Sequence, residues 1–208
     1  PVALALLEES NCPVAAPSAN ISSGLSPTNA QAVMEYLGDK IDAVLDGGSC
    51  RVGIESTVLD LAGGVPQVLR PGQITRPMLN EALGADMHIA GKPRTARRRG
   101  APLRSPGQLP RHYAPTIPLE LVEQLPESPE EKDFLIYIGD PEELGAKSVR
   151  MPSSPERYAQ LLYGVLRRAE QSGASRILMQ IPPSGPEWEA IHDRLERAAS
   201  PENSRKTS

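Results

Sequence analysis

Apolar positions fall at helical spacing in four stretches of the chain and in short unbroken runs in several others. Over Pro155–Gln171 the residues Tyr158, Leu161, Leu162, Val165, Leu166 and Ala169 recur every three or four positions, so they share one face of a helix. Trp188, Ile191 and Leu195 repeat the pattern, and Ser184 with Glu187 reads as a capping box that opens this second helix. Upstream, Ser26-Pro27 has the chemistry of an N-cap and first helical residue; Val33, Met34 and Leu37 make the stripe and Gly38 ends it. Thr75 caps a short fourth helix through Met78, Leu79 and Leu83 to Gly84.

The remaining apolar runs read as strands: Pro13–Ala16, Ile41–Leu45, Thr57–Leu61, Gln67–Leu69, Phe134–Ile138 and Arg176–Ile181. The Thr57 and Gln67 runs join through Gly63-Gly64 as a hairpin. Strands alternating with helices, with one hairpin among them, predict an α/β chain whose first part is a mixed sheet. The strand–helix–strand–helix order after residue 118 predicts a small Rossmann-like layer.

Charge changes this picture in the middle of the chain. Residues 1–90 hold 4 basic and 10 acidic side chains, residues 91–112 hold 7 basic and none acidic, and residues 113–208 hold 11 basic and 16 acidic. The basic block is rich in Gly, Pro and Arg and carries no period, so it reads as a linker. The expected organisation is a first unit over 1–90, a linker over 91–117, an α/β domain over 118–199 and a polar, disordered tail over 200–208. Lys92, Arg94, Arg97, Arg98 and Arg99 either meet a polyanion such as tRNA or form a solvated connector. The chain opens at Pro1 straight into the apolar run Val2–Leu7, as if entering part-way through a domain.

Composition excludes several classes. No apolar stretch approaches the roughly 20 residues that cross a bilayer, and the opening lacks a secretory pattern, so no membrane partner and a cytoplasmic location are expected. Cys12 and Cys50 are far apart, and His88, His112 and His192 are scattered, which argues against a disulfide framework or a metal site. The common phosphate-binding and hydrolase signatures, such as G-x-x-x-x-G-K-[ST] and G-x-S-x-G, are absent.

Candidate chemistry gathers at predicted strand ends. The loop after Ala16 presents Ser18, Asn20, Ser22 and Ser26 just before a helix start, an arrangement suited to a phosphate or carboxylate; ordinary turn and cap chemistry is the competing reading. Ser56 and Thr57 offer two hydroxyls at the head of a strand, and Arg70 ends another, where a guanidinium can clamp anion oxygens. Arg111-His112-Tyr113 either folds back over a pocket or anchors the linker to the second domain.

In this order the segments resemble the threonylcarbamoyl-AMP synthase family, the YrdC-like proteins with a C-terminal extension. The matching words are Ala-Pro-Ser-Ala-Asn-Ile-Ser (16–22), Ser-Pro-Thr (26–28), Ile-Asp-Ala-Val-Leu-Asp-Gly-Gly (41–48), Gly-Ile-Glu-Ser-Thr-Val-Leu-Asp-Leu (53–61), Leu-Arg-Pro-Gly (69–72), Ser-Pro-Gly (105–107) and Arg-His-Tyr-Ala-Pro (111–115). The close of the last helix, Arg194–Ala199, is similar to an Arg-x-x-Arg-Ala-Ala ending of the family.

The resemblance implies the C-terminal part of a YrdC-like twisted mixed sheet, followed by a linker and the small α/β domain. It implies a nucleotidyltransferase, an L-threonylcarbamoyladenylate synthase. Such an enzyme condenses L-threonine, bicarbonate and ATP with release of pyrophosphate, and downstream transferase machinery then modifies tRNA. Ser18, Asn20, Ser26, Arg70 and Tyr113 are implied to bind ATP, with Mg²⁺ on the nucleotide; Ala16, Ser56 and Thr57 are implied to hold threonine.

One departure stands out: the Lys-x-Arg motif that the family carries upstream of the Ala-Pro-Ser-Ala-Asn loop is not in this sequence. Ser23 and Gln108 also replace the family's usual Gly and Met. The chain alone is therefore expected not to turn over, and a module binding tRNA or double-stranded RNA and an inactive remnant are the alternative readings.

Overall fold

The computed structural model describes residues 2–62, 64–84, 109, 111–139 and 147–200. Most of the predicted linker, including the cluster from Lys92 to Arg99, and the tail past Ser200 lie outside these residues. The described helices are α1 (Val2–Ser10), α2 (Ala30–Leu37), α3 (Arg76–Leu83), α4 (Pro155–Gln171) and α5 (Glu189–Ala198). The strands are β1 (Val58–Asp60), β2 (Gln67–Arg70), β3 (Leu119–Val122), β4 (Asp133–Ile138), β5 (Ser148–Met151) and β6 (Arg176–Gln180). β1 and β2 form the predicted hairpin; its register sets Arg70 opposite Val58. The other four make a wholly parallel sheet in the order β3-β6-β4-β5.

The core sits where this parallel sheet meets α4 and α5. Phe134, Ile136, Ile177 and Met179 of the sheet pack with Tyr158, Leu162 and Leu166 of α4 and Ile191 and Leu195 of α5. Each such fully buried aliphatic side chain contributes roughly 1.5–3 kcal/mol. Leu25 and Tyr113 belong to the same cluster, so the first unit and the linker's end are packed into the second domain's core. Gly53 makes that junction tight: its φ is +82°, and a Cβ there would stand 2.5 Å from the Ala159 carbonyl of α4.

Several sequence expectations are corrected. Pro13–Ala16 and Ile41–Leu45 are exposed and irregular rather than strands; among the described residues neither has a neighbouring strand to pair with, and Pro13 has no N–H to offer. The helix expected at Ser26 begins three residues later. Asn29, extended at φ −155°, is its cap and accepts the Ala32 N–H, whereas the Ser26 hydroxyl is drawn to Glu55 at 2.6 Å. The Ser184–Glu187 box does not form, since α5 starts at Glu189 without a side-chain cap. Met34 and Leu161, placed on buried stripes by periodicity, are exposed at 53% and 38%. Strands β3 and β5 carried no sequence signal: they are the two edges of the sheet, where Glu120 and Arg150 interrupt the apolar pattern.

The first unit leaves much apolar surface open. Val2, Leu4, Leu6 and Leu7 are exposed on α1, which buries none of its residues, and Leu45, Leu61 and Val65 are exposed as well. Among the described residues no helix is long and apolar enough to cross a membrane.

Candidate active site

The hairpin register and the segment that leads into it build the site. Because Arg70 pairs across from Val58, its guanidinium lies beside the preceding turn and donates from Nε to the Ser56 carbonyl at 3.0 Å, with Nη2 at 3.4 Å from the Ser56 hydroxyl. The Arg70 charge also reaches the Tyr113 hydroxyl and works against the rise in its pKa. Thr57 turns the other way and donates its hydroxyl to the Ile74 carbonyl at 2.7 Å. Gly72 lets these strands close up, since a Cβ there would sit 2.8 Å from the Glu55 carbonyl and closer still to the Thr57 nitrogen.

One residue upstream, Glu55 is the charge centre. Its Oε1 accepts from the Ser26 hydroxyl, and its Oε2 accepts from Tyr163 at 3.0 Å and from Arg194 Nε at 2.8 Å. Burial pulls its pKa up, but the Arg194 charge and the hydrogen bonds from Ser26 and Arg194 outweigh it, so the carboxyl titrates below its usual range. A cleft of about 440 Å³ opens beside it, lined by Ser18, Ser26, Thr28, Arg51 and Glu55.

The end of the linker closes the other side. Tyr113 is 2% exposed and held at φ +57°, a backbone setting that non-glycine residues adopt only under constraint. Its ring lies 4.0 Å from His112 and 5.8 Å from Tyr163, and the Arg194 guanidinium stands 5.1 Å from its centre. The neighbouring Ala114 N–H bonds the Ser23 carbonyl at 3.0 Å. Burial lowers the His112 pKa, aided by the charges of Arg197, Arg194 and Arg70 and opposed by Glu55. Burial and Glu55 raise that of Tyr113.

Of the residues singled out in the sequence, Ser56 and Arg70 therefore meet directly, Tyr113 is within reach of the Arg70 charge, and Ser18 and Ser26 share the cleft beside Glu55. Two stand apart. Asn20 commits its amide N–H groups to the Ile21 and Gly24 carbonyls, both at 3.0 Å, and so shapes the loop. Ala16 is exposed in the irregular stretch before it. Glu55, Tyr163 and Arg194 received no site role from sequence; the available signals were an acidic side chain between Gly53 and the Ser-Thr pair and the Arg194–Ala199 close of the last helix. Among the described residues no group of three His, Cys, Asp or Glu is placed to hold a metal, and the Glu55 oxygens are already taken by three donors. The arrangement is binding chemistry, with hydroxyls and a guanidinium converging where a small anion could be gripped.

A family model described as the threonylcarbamoyl-AMP synthase C-terminal domain matches residues 74–200, and one described as telomere recombination matches residues 1–72. The chain belongs to the threonylcarbamoyl-AMP synthase family. The Bacillus subtilis (strain 168) threonylcarbamoyl-AMP synthase is 36% identical over 216 residues, covering 96% of this chain and 60% of the relative. That of Pyrococcus abyssi is 41% identical over 122 residues, covering 59% of this chain and 35% of the relative. Among solved structures, Pyrococcus abyssi Sua5 complexed with L-threonine superposes with a TM-score of 0.74 at 30% identity over 95% of this chain and 61% of that one. A variant of the same protein, with an adjacent His-Tyr pair replaced by alanines, matches equally well. The chain thus spans about 60% of the length of the synthase that it matches end to end.

Proposed function

We infer that this chain supplies the nucleotide- and threonine-binding walls of an L-threonylcarbamoyladenylate synthase. That nucleotidyltransferase joins L-threonine, bicarbonate and ATP, releases pyrophosphate, and hands its product to transferase machinery acting on tRNA in the cytoplasm. The observation behind this reading is the Arg70 guanidinium on Ser56, close enough to Tyr113 for its charge to act there, with Glu55, the residue before Ser56, lining the Ser18–Ser26 cleft. Two segments assigned to different substrates thereby share one region. In this reading Ser18, Ser26, Arg70 and Tyr113 face the nucleotide, and Asn20 keeps the loop in shape for it.

Ser56, with Thr57 fixing the turn behind it, faces threonine, and Ala16 contributes main chain at the loop's entry. The amino-acid ligand named for the Pyrococcus abyssi structure supports the threonine half. Mg²⁺ enters with ATP as part of the substrate, carried on its phosphates rather than in a protein cage. The chemistry asks for positioning and charge neutralisation more than for a nucleophile, which matches the groups present.

Residues 111–117, at the end of the predicted linker, are held against the site by packing with α4 and α5. Calorimetric titration of L-threonine and of a non-hydrolysable ATP analogue tests the assignment. Arg70→Ala should weaken the nucleotide by about 1.5–3 kcal/mol, the worth of a charge-assisted contact, and Ser56→Ala should weaken threonine by about 1 kcal/mol. Unchanged nucleotide affinity in Arg70→Ala would remove that residue from the site.

A further inference from the structure

The last helix carries Arg194-x-x-Arg197-Ala198-Ala199, and none of the ligand-facing roles above uses it. Arg194 is 1% exposed and comes from the second domain, yet it grips the first unit twice. Nε donates to Glu55 Oε2 at 2.8 Å and Nη2 to the Glu55 main-chain carbonyl at 3.2 Å, while Nη1 donates to Asp193 at 2.9 Å. Arg197 extends the same device: it shares Asp193, donates from Nη1 to the Leu109 carbonyl at 2.6 Å, and its own carbonyl accepts the His112 N–H at 3.4 Å.

A guanidinium buried among charges is seldom better for stability than a well-packed apolar residue, so packing alone does not account for this one. What a fork offers, and an ammonium does not, is two fixed directions at once. Here they immobilise both the side chain and the main chain of the residue before Ser56, with the Tyr113 ring lying against the same guanidinium. Resting on the synthase reading above, the geometry points to Arg194 as a positioning residue. It fixes the main chain leading from Glu55 into Ser56, and through it the second domain sets the affinity for the amino-acid substrate.

Arg194→Lys keeps the charge and loses the fork. In the full 208-residue chain, the expected result is a thermal midpoint close to wild type with amide order parameters at Ser56 and Thr57 falling from about 0.85 toward about 0.6. L-threonine affinity should fall by about tenfold, the order of one lost charge-assisted hydrogen bond on the Glu55 carbonyl, while affinity for a non-hydrolysable ATP analogue changes less than about threefold because lysine keeps a cation beside Tyr113. Tyr163→Phe removes only one donor from Glu55 and should move the same readouts the same way by less, which keeps the test alive if the lysine variant does not fold. Unchanged order parameters at Ser56 and Thr57 in the folded variants overturn the proposal. So does an equal loss of threonine and nucleotide affinity that tracks the thermal midpoint, the mark of a merely structural role. If the order parameters fall as expected but wild type binds neither ligand, the positioning stands and the synthase reading falls.

Discussion

Adding one methyl group at Gly53 should do more damage than at any exposed glycine, and its neighbours allow the two causes to be separated. At Gly53 the φ of +82° disfavours an L side chain, and the new Cβ would meet the Gln160 Cα as well as the Ala159 and Gln160 carbonyls at 2.5 and 2.7 Å. At Gly48 the φ is nearly the same, +86°, but nothing lies within 4 Å. Gly48→Ala therefore isolates the backbone strain, about 1–2 kcal/mol. Gly53→Ala adds overpacking against helix backbone, which cannot swing aside, for a further 1–3 kcal/mol or so. The total, about 2–5 kcal/mol, is a large share of a stability of roughly 5–15 kcal/mol. Urea melts with equal slopes measure both. If Gly53→Ala loses no more stability than Gly48→Ala, α4 does not dock on this turn and the account of the junction is wrong.

Three further outcomes are expected. Leu162→Ala, in the core, should cost about 2–5 kcal/mol; Leu4→Ala, on the exposed α1, should stay within about 0.5 kcal/mol, and thermal melts of the two compare them. Glu55 has its folded pKa below the usual 4.5, so it stabilises fully above that pH and loses this contribution as pH falls through the folded value. The stability gap between wild type and Glu55→Gln should thus be widest near neutrality and shrink below about pH 4.5 in urea melts across pH; a gap independent of pH would mean that the carboxylate charge is not engaged. Gly72→Ala, whose Cβ would meet the Glu55 carbonyl at 2.8 Å, should lower threonine affinity as well as stability, read by calorimetry beside a melt.

Much of the second domain was legible because its elements are long and periodic. Helix α4 begins and ends where Pro155 and Gln171 predicted, capped by Ser154, and β4, β6 and the hairpin fell within a residue or two of expectation. What failed depended on partners. Ser26 has the composition of a helix cap, and only the carboxylate twenty-nine residues away takes its hydroxyl instead. Edge strands read as polar because one side faces water. In the site, the hydroxyls and Arg70 announced themselves by position at strand ends. Arg194 did not, since an arginine in a helix pattern is most often a solvated one, and the contact that buries it spans 139 positions.

On the synthase reading, one region of this chain receives both a nucleotide and an amino acid. A crystal structure of the chain grown with L-threonine and a non-hydrolysable ATP analogue tests it most directly. The account predicts the amino acid against Ser56 and the phosphates between Ser18, Ser26 and Arg70, under the Tyr113 ring. Both ligands bound elsewhere, for example at the outer ends of β4 and β5 near Arg150 and Arg157, with the region around Ser56 and Arg70 left empty, would contradict it.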